Sequence, residues 1–197
     1  MNDLISFDAA VEELLGSARL LEERDLLTPF LIIIYCAIDT MAWLGLPDNR
    51  EEVKRSDFIK WIADHRIATR IRPCSPEDLY GARCGLLHSY NPQSALSRRR
   101  KVKEVYYLRG AFADRWETQQ EVNTHTHNGV VLHIGELFRG IEESIREFRT
   151  EIISDPALRV RVVRRSQSFL RSKIPDYYVR HWDAIRGWIS EAKLVEE

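Results

Sequence analysis

The chain of 197 residues has little cysteine, and its three cysteines form no Cys-x-x-Cys pair. An odd number of cysteines does not fit a closed disulfide framework, so we expect a reducing compartment. The N-terminus also lacks the basic start and the apolar stretch of a signal peptide, which together with the cysteines predicts a cytoplasmic protein. Lys and Arg number 29 against 30 Asp and Glu. This lack of excess positive charge argues against a protein that coats nucleic acid non-specifically, but it leaves a local basic site open.

Internal repeats and low-complexity tracts are absent from the sequence as well. Hydrophobic residues make up 44% and charged residues 30%, a balance that argues against global disorder. A chain of this length buries roughly 70% of the surface of its unfolded form, so it needs neither disulfides nor a metal to fold. We therefore expect a single domain over residues 1–197 that requires no cofactor.

The sequence has one long hydrophobic run, residues 26–46, in which Asp39 is the single formal charge. The run is long enough to span a bilayer. However, a carboxylate near its middle costs roughly 2.5–3.5 kcal/mol on insertion scales, and the flanks carry mixed charge. These observations favour the buried central helix of a soluble bundle over a membrane span, which is the alternative.

Helical periodicity and start and stop signals predict a mainly α-helical protein. The strongest start is Ser75-Pro76-Glu77-Asp78, in which Ser75 is a good N-cap and Pro76 suits the first turn. Asp8, Thr28 and Ser56 are also expected as N-caps. The predicted helices cover residues 8–23, 28–45, 56–62, 76–91, 136–153, 156–173 and 177–194, although residues 158–162 also alternate like a strand.

Two short β-rich runs interrupt the helical pattern, at residues 101–108 and 130–134. We expect them to pair as a small antiparallel hairpin with a long connection, in which residues 116–120 form a helical turn. The predicted architecture is an up-and-down helical bundle. It has a helical core over about 8–92, a hairpin over about 101–134 and C-terminal helices over about 136–194.

The stretch from Arg83 to Tyr90 carries the most chemical information. It places a permanent cation, the imidazole of His88 and a phenol within eight residues at the end of the best-defined helix. RNA cleavage without a metal needs a base for the ribose 2′-hydroxyl and a cation for the charge that develops on the phosphate. Histidine titrates near neutrality, and arginine offers a planar set of donors to phosphate oxygens. The stretch therefore predicts a site for RNA or nucleotides.

The spacing of these residues raises a geometric problem. Arg83 and Tyr90 share a face of an ideal helix, whereas Arg83 and His88 lie about 140° apart around its axis. Either the helix is distorted before Pro92, or the site combines the motifs of two chains.

An arginine, four residues and a histidine at the end of a bundle helix resemble the motif of the HEPN superfamily (higher eukaryotes and prokaryotes nucleotide-binding domain). Arg83, His88 and Tyr90 match the longer form Arg-x4-His-x-Tyr of HEPN toxins encoded beside a nucleotidyltransferase antitoxin. The resemblance covers about residues 8–92. It implies a HEPN-like bundle and a homodimeric, metal-independent endoribonuclease with a role in toxin–antitoxin systems or defence.

The resemblance also implies roles for individual residues. His88 would be the general base or acid, Arg83 the phosphate clamp, and Tyr90 a site-lining residue or a target of adenylylation. Acidic residues on the preceding helix support the motif in some HEPN proteins. Since a carboxylate in so apolar a helix is costly unless paired, we expect Asp39 to pair with Arg83 and to orient it. The alternative is that Asp39 faces solvent or caps a loop.

Basic clusters and histidines supply further candidates. Arg98, Arg99 and Arg100 follow the motif closely and are candidates for binding RNA phosphates. The basic run over residues 159–173 is interpreted as a solvated face paired with the acidic helix. His125, His127 and His133 have the spacing of metal ligands, but nothing completes a tetrahedral set, so we predict no metal site.

A second reading keeps the fold and removes the catalysis. HEPN proteins often have a polar residue such as asparagine directly after the arginine, whereas this chain has Cys84. Cys84 is interpreted as a packed small side chain rather than a nucleophile. This substitution and the large unmatched C-terminal half favour a non-catalytic interaction or nucleotide-binding module as the alternative function.

Overall fold

The structure is a computed structural model that describes residues 4–71, 74–90, 93–110, 115–125 and 128–171. The last predicted helix, over residues 177–194, lies outside the described residues. The described elements, in chain order, are α1 (Ile5–Glu23), α2 (Leu27–Gly45), α3 (Arg55–Asp64), α4 (Ile67–Arg70), α5 (Pro76–Ser89), α6 (Ala95–Arg98), β1 (Glu104–Leu108), α7 (Arg115–His125), β2 (Gly129–His133), α8 (Ile134–Ser154) and α9 (Pro156–Arg171). The prediction of a mainly helical protein is confirmed.

Helix α2 lies at the centre of the fold and packs against α1, α3, α5, α8 and α9. Phe30, Ile34, Tyr35 and Ile38 are fully buried, and Met41 extends this buried set towards the end of the helix. The helix is long and apolar enough to cross a membrane, and half of its most apolar stretch is buried inside the protein. Packing by other helices on several sides is the arrangement expected of the central helix of a bundle.

The two strands are parallel, so the predicted antiparallel hairpin is wrong. Glu104 pairs with Gly129 and Leu108 with His133 in a two-stranded sheet. The connection between the strands contains α7, which is longer than the predicted helical turn and packs against β2. Parallel strands need a crossover of a dozen or more residues, usually through a helix, and α7 provides it. The Gln119 side chain on α7 accepts a hydrogen bond from the backbone N–H of Val131 at 2.8 Å.

The start of α5 is the capped end that the sequence predicts. The Ser75 hydroxyl accepts a hydrogen bond from the backbone N–H of Asp78, and the Asp78 carboxylate accepts one from the N–H of Ser75. The other oxygen of Asp78 accepts from the N–H of Lys103 at 2.7 Å. A Cβ on Gly81 would lie 2.5 Å from the side chain of Val102, so glycine permits this close approach. The capped helix is thereby joined to the segment that leads into β1.

The other predicted caps are wrong, because Asp8, Thr28 and Ser56 lie inside α1, α2 and α3. Helix α1 begins earlier because Phe7 is buried in the core and extends its apolar face. Asp8 instead accepts hydrogen bonds from Arg149 on α8. Caps are short-range signals, and tertiary packing overrides them here.

Helix α9 includes residues 158–162, where Leu158 and Val162 are buried one turn apart. Within the basic run, Arg164 pairs with Asp48 in the loop after α2. Arg165 is only 8% exposed and lies at the end of α2. Its guanidinium donates to the carbonyls of Trp43 and Leu46, each at 2.6 Å. Arg165 therefore supplies hydrogen-bond donors at the C-terminal end of α2, where a helix has too few backbone N–H groups for its last carbonyls.

Candidate functional site

Arg83 and Asp39 form a half-buried ion pair between α5 and α2. The Nε and Nη2 atoms of Arg83 donate to the same oxygen of Asp39, Oδ2, at 2.9 and 2.8 Å. Each side chain is 23% exposed. The predicted pairing of Asp39 with Arg83 is therefore confirmed. The side chains of Arg83 and Cys84 also form a hydrogen bond, so the guanidinium is held by Asp39 on α2 and by its neighbour on α5.

Burial and pairing affect the pKa values of Asp39 and Arg83 differently. Burial raises the pKa of the Asp39 carboxyl, and the hydrogen bonds from Arg83, which act to lower it, only partly offset this effect. Burial acts to lower the pKa of Arg83, but the hydrogen bonds and the attraction to Asp39 outweigh burial and leave that pKa raised. Burial and the neighbouring Asp39 also raise the pKa of the Cys36 thiol. Holding an ionised Asp39 thus has a cost that the arginine does not fully compensate.

We expect Asp39→Asn to unfold at the same or a higher temperature than the wild-type protein at pH 7. The raised pKa means that the folded protein binds the Asp39 proton more tightly than the unfolded chain does. Ionisation of Asp39 therefore lowers the free energy of unfolding as the pH rises through the interval from the unfolded pKa to the higher folded pKa. Circular-dichroism melts at pH 7 and at about pH 3 test this, because both proteins carry a neutral group at low pH and should converge.

Asp57→Asn is the matched control for this prediction. Hydrogen bonds from Arg50 hold the pKa of Asp57 below its usual value, so ionisation of Asp57 stabilises the fold and that contribution is lost as the pH falls. The control variant should be less stable than the wild type at pH 7. A loss of stability in Asp39→Asn as large as that in Asp57→Asn would contradict the prediction.

Cys84 lies beside Arg83 but packs against Tyr80. Its side chain is half-buried, and the two side chains form a hydrogen bond. Burial and this hydrogen bond raise the pKa of the Tyr80 phenol, and the ring packs edge-on against Phe58. These contacts agree with the interpretation of Cys84 as a packed side chain.

His88 is exposed on a regular part of α5, which continues to Ser89. The helix leaves its regular course before Pro92 only at Tyr90, which is left-handed, so no distortion lies between Arg83 and His88. His88 follows Arg83 by five positions on a regular helix, so the two side chains leave the helix axis in directions about 140° apart. A single chain does not bring Arg83 and His88 onto one face of α5.

Tyr90 follows α5 in a left-handed conformation, with φ of +53°, and its side chain is 65% exposed. It lines a shallow cavity of about 220 Å³ together with Ala82, Leu86 and residues of α2 and β1. Tyr90 is thus accessible, as a site-lining residue or a modification target must be.

The arginine cluster after the motif is also accessible. Arg98, Arg99 and Arg100 are exposed at the end of α6, and Arg98 donates to the carbonyl of Gln93. Among the described residues, no hydrogen bond or ion pair joins the cluster to Arg83. The structure therefore leaves these three cations in solvent and does not assemble them with the ion pair.

The histidines differ in their surroundings. His133 uses both ring nitrogens: Nδ1 accepts from the N–H of Gly135 at 3.2 Å, and Nε2 therefore donates to the carbonyl of Gly110 at 2.9 Å. His125 is exposed, and His127 lies outside the described residues. The described residues contain no group of three or more His, Cys, Asp or Glu that could hold a metal ion.

A pair of tyrosines that the sequence does not reveal joins α2 to β1. The hydroxyls of Tyr35 and Tyr107 are 2.6 Å apart, and burial raises the pKa of both phenols. Tyr106, on the other face of β1, donates to Glu104 at 3.0 Å. Alternation along the strand predicts opposite directions for Tyr106 and Tyr107, but the partner on α2 is hidden within an apolar run.

These observations define a mainly helical protein with a half-buried arginine–aspartate pair between a central apolar helix and a capped helix. Comparison with family models finds no match. No curated protein and no solved structure matches the chain either. The resemblance to HEPN proteins therefore rests on the motif at residues 83–90 and on its place in a helical fold.

Proposed function

We propose that this protein is a HEPN-like, metal-independent endoribonuclease that acts as a homodimer in the cytoplasm. The observation that carries the proposal is the ion pair between Arg83 and Asp39. It fixes the arginine of the motif through an acidic residue on α2 and leaves its side chain 23% exposed. A guanidinium oriented in this way is suited to bind phosphate oxygens in one geometry.

The reaction assigns a separate step to each side chain. One histidine, His88, takes the proton of a ribose 2′-hydroxyl, whose oxygen attacks the adjacent phosphorus. Arg83 stabilises the negative charge on the phosphate oxygens, and the 5′-oxygen takes a proton from water as it leaves. The products are a 2′,3′-cyclic phosphate and a 5′-hydroxyl. Asp39 orients Arg83, and it does not exchange a proton with the substrate.

The geometry of α5 supports a dimeric site. Arg83 and His88 point about 140° apart, so a composite site needs Arg83 of one chain and His88 of the other. The exposure of His88 and Tyr90 leaves both free to meet a partner chain or RNA. Arg98, Arg99 and Arg100 would bind RNA phosphates beside the site, and a nucleotidyltransferase-type antitoxin that modifies Tyr90 is the proposed regulatory partner.

Cleavage of RNA by the purified protein in EDTA tests the proposed activity. We expect fragments with 2′,3′-cyclic phosphate and 5′-hydroxyl ends, because no step uses a metal. Acid treatment followed by phosphatase, read on sequencing gels, identifies these ends. Products with 5′-phosphate ends, or cleavage that EDTA abolishes, would contradict the mechanism.

A non-catalytic interaction or nucleotide-binding module is the second candidate. It is favoured by Cys84, which follows Arg83 where HEPN proteins often have a polar residue and which packs against Tyr80. A folded dimer that binds RNA or nucleotides but cleaves none of a varied set of RNAs would favour this candidate. An adjacent gene for a nucleotidyltransferase would favour the toxin.

A further inference from the structure

A cavity of about 420 Å³ lies on another part of the molecule, between the end of α2 and helices α3, α8 and α9. None of its lining residues belongs to α5, which carries the proposed nuclease motif. Its volume falls within the range of small-molecule sites. Part of its wall is apolar, formed by Ala42, Leu46, Phe148 and Leu158.

Three polar atoms beside this cavity have no hydrogen-bond partner. Across the part of the chain that the structure describes, the buried side-chain nitrogen and oxygen atoms without a partner are Nε1 of Trp61, Nε2 of His65 and Nε of Arg161. All three residues line the same cavity. Buried polar atoms without a partner are rare and costly, so three around one cavity indicate that something else supplies their hydrogen bonds.

The aromatic side chains of this set are firmly held. Trp61 and His65 are 5% and 4% exposed, and their rings stack with centroids 4.4 Å apart. Nδ1 of His65 lies 2.9 Å from the carbonyl of Trp61, so it carries a proton and donates. Nε2 of His65 is 3.5 Å from the exposed carboxylate of Glu151, too far for a normal hydrogen bond.

Arg161 differs from the other two cations of the cavity wall in having no carboxylate partner among the described residues. Arg50 pairs with Asp57, and Lys60 pairs with Asp64. By contrast, the half-buried guanidinium of Arg161 has no ion pair with a described residue. Its Nε–H and the indole N–H of Trp61 are obligatory donors, because neither group can accept a hydrogen bond. Two unsatisfied donors, one of them cationic, favour an acceptor that carries negative charge.

We propose that this cavity binds a small organic anion, a carboxylate or a phosphate monoester with an apolar body. Its oxygens accept hydrogen bonds from Nε1 of Trp61 and from Arg161, and its body lies against the apolar wall. The Glu151 carboxylate stands at the solvent side, where its exposure limits the repulsion. This site is independent of the proposed RNA cleavage, since the two share no residue.

The indole signals of ¹⁵N-labelled full-length protein test the proposal. Trp61→Phe identifies the Trp61 signal, and the labelled wild type is then titrated with benzoate, phenyl phosphate and inorganic phosphate. We expect a saturable shift of the Trp61 signal with benzoate or phenyl phosphate. Whichever of these two probes binds more tightly shows whether the cavity prefers a carboxylate or a phosphate monoester. Inorganic phosphate should bind at least tenfold more weakly, because it lacks the apolar body.

Arg161→Gln should weaken the binding of the stronger probe at least tenfold. Arg164→Gln is the matched control, because it removes the same charge from an exposed position on the same helix and should leave the affinity unchanged. Thermal melts establish that both variants are folded. No saturable shift with any probe, or equal binding by the two arginine variants, would overturn the proposal and would leave a cavity filled by water.

Discussion

Substitution of Arg83 or His88 by alanine is expected to lower the rate of RNA cleavage by roughly 10²- to 10⁴-fold. This is the range typical of a lost general base, and loss of a charged oxyanion donor has an effect of about 10²–10³. Neither change should unfold the protein. His88 is exposed, and the Asp39 carboxyl that loses its cation in Arg83→Ala has a raised pKa and can take up a proton; thermal melts verify that both variants are folded. Initial rates in EDTA measure the effect, and His125→Ala, at another exposed histidine, is the control.

Mixing the two inactive variants distinguishes a composite site from a site within one chain. If each site takes Arg83 from one chain and His88 from the other, a heterodimer of Arg83→Ala and His88→Ala contains one intact site. Equal mixing with full exchange of subunits should then restore about a quarter of the wild-type activity. No recovery after exchange, or a wild-type protein that sediments as a monomer, would contradict the dimeric site. Activity retained by both single variants would contradict the proposed roles altogether.

Arg165→Met is expected to lower the free energy of unfolding by about 3–5 kcal/mol, because it removes several hydrogen bonds from a charged donor to backbone carbonyls. Arg165 is 8% exposed, and burial lowers its pKa. It donates to four carbonyls at 3.0 Å or less, those of Trp43, Leu46, Pro47 and Arg50. Methionine retains the packing of the aliphatic stem, so the loss reports the hydrogen bonds. Urea unfolding followed by circular dichroism measures the change.

Two further variants control this experiment, one at the neighbouring Arg164 and one at Arg165 itself. Arg164→Met removes an exposed cation that pairs with Asp48, and it should change stability by no more than about 1 kcal/mol. Arg165→Lys should recover only part of the loss, because a single ammonium group cannot reach carbonyls on both sides as a planar guanidinium does. Equal stability of the Arg164 and Arg165 methionine variants would show that Arg165 does not hold the end of α2.

The sequence predicts those parts of the molecule in which the signal is local. Ser75 and Asp78 specify the start of α5 within four residues, and this prediction is confirmed by the hydrogen bonds. The pairing of Asp39 with Arg83 is predictable despite 44 residues of separation, because an isolated carboxylate in an apolar helix requires a cation. Strong local signals and isolated charges therefore convey much of the candidate site.

Features that depend on tertiary arrangement cannot be predicted from local sequence signals. Alternation along residues 101–108 and 130–134 indicates strands but carries no information about their direction, which depends on the helix in the connection. The sequence does not distinguish Arg165 from the other arginines of its run, because its carbonyl partners lie 115 to 122 residues earlier in the chain. The cavity that contains Trp61 and Arg161 combines distant helices, and no spacing rule links them.

Asp78 has a consequence for how this protein could diversify. Its two oxygens bind the N–H groups of Ser75 and Lys103, so one side chain fastens both the start of α5 and the entry to β1. The segment between the end of α5 and Lys103 carries the exposed Arg98 to Arg100. Closing a loop costs little more when the loop grows. Insertions and changes of charge there can accumulate in descendants and alter their selectivity, while the helix that bears Arg83 is inherited intact.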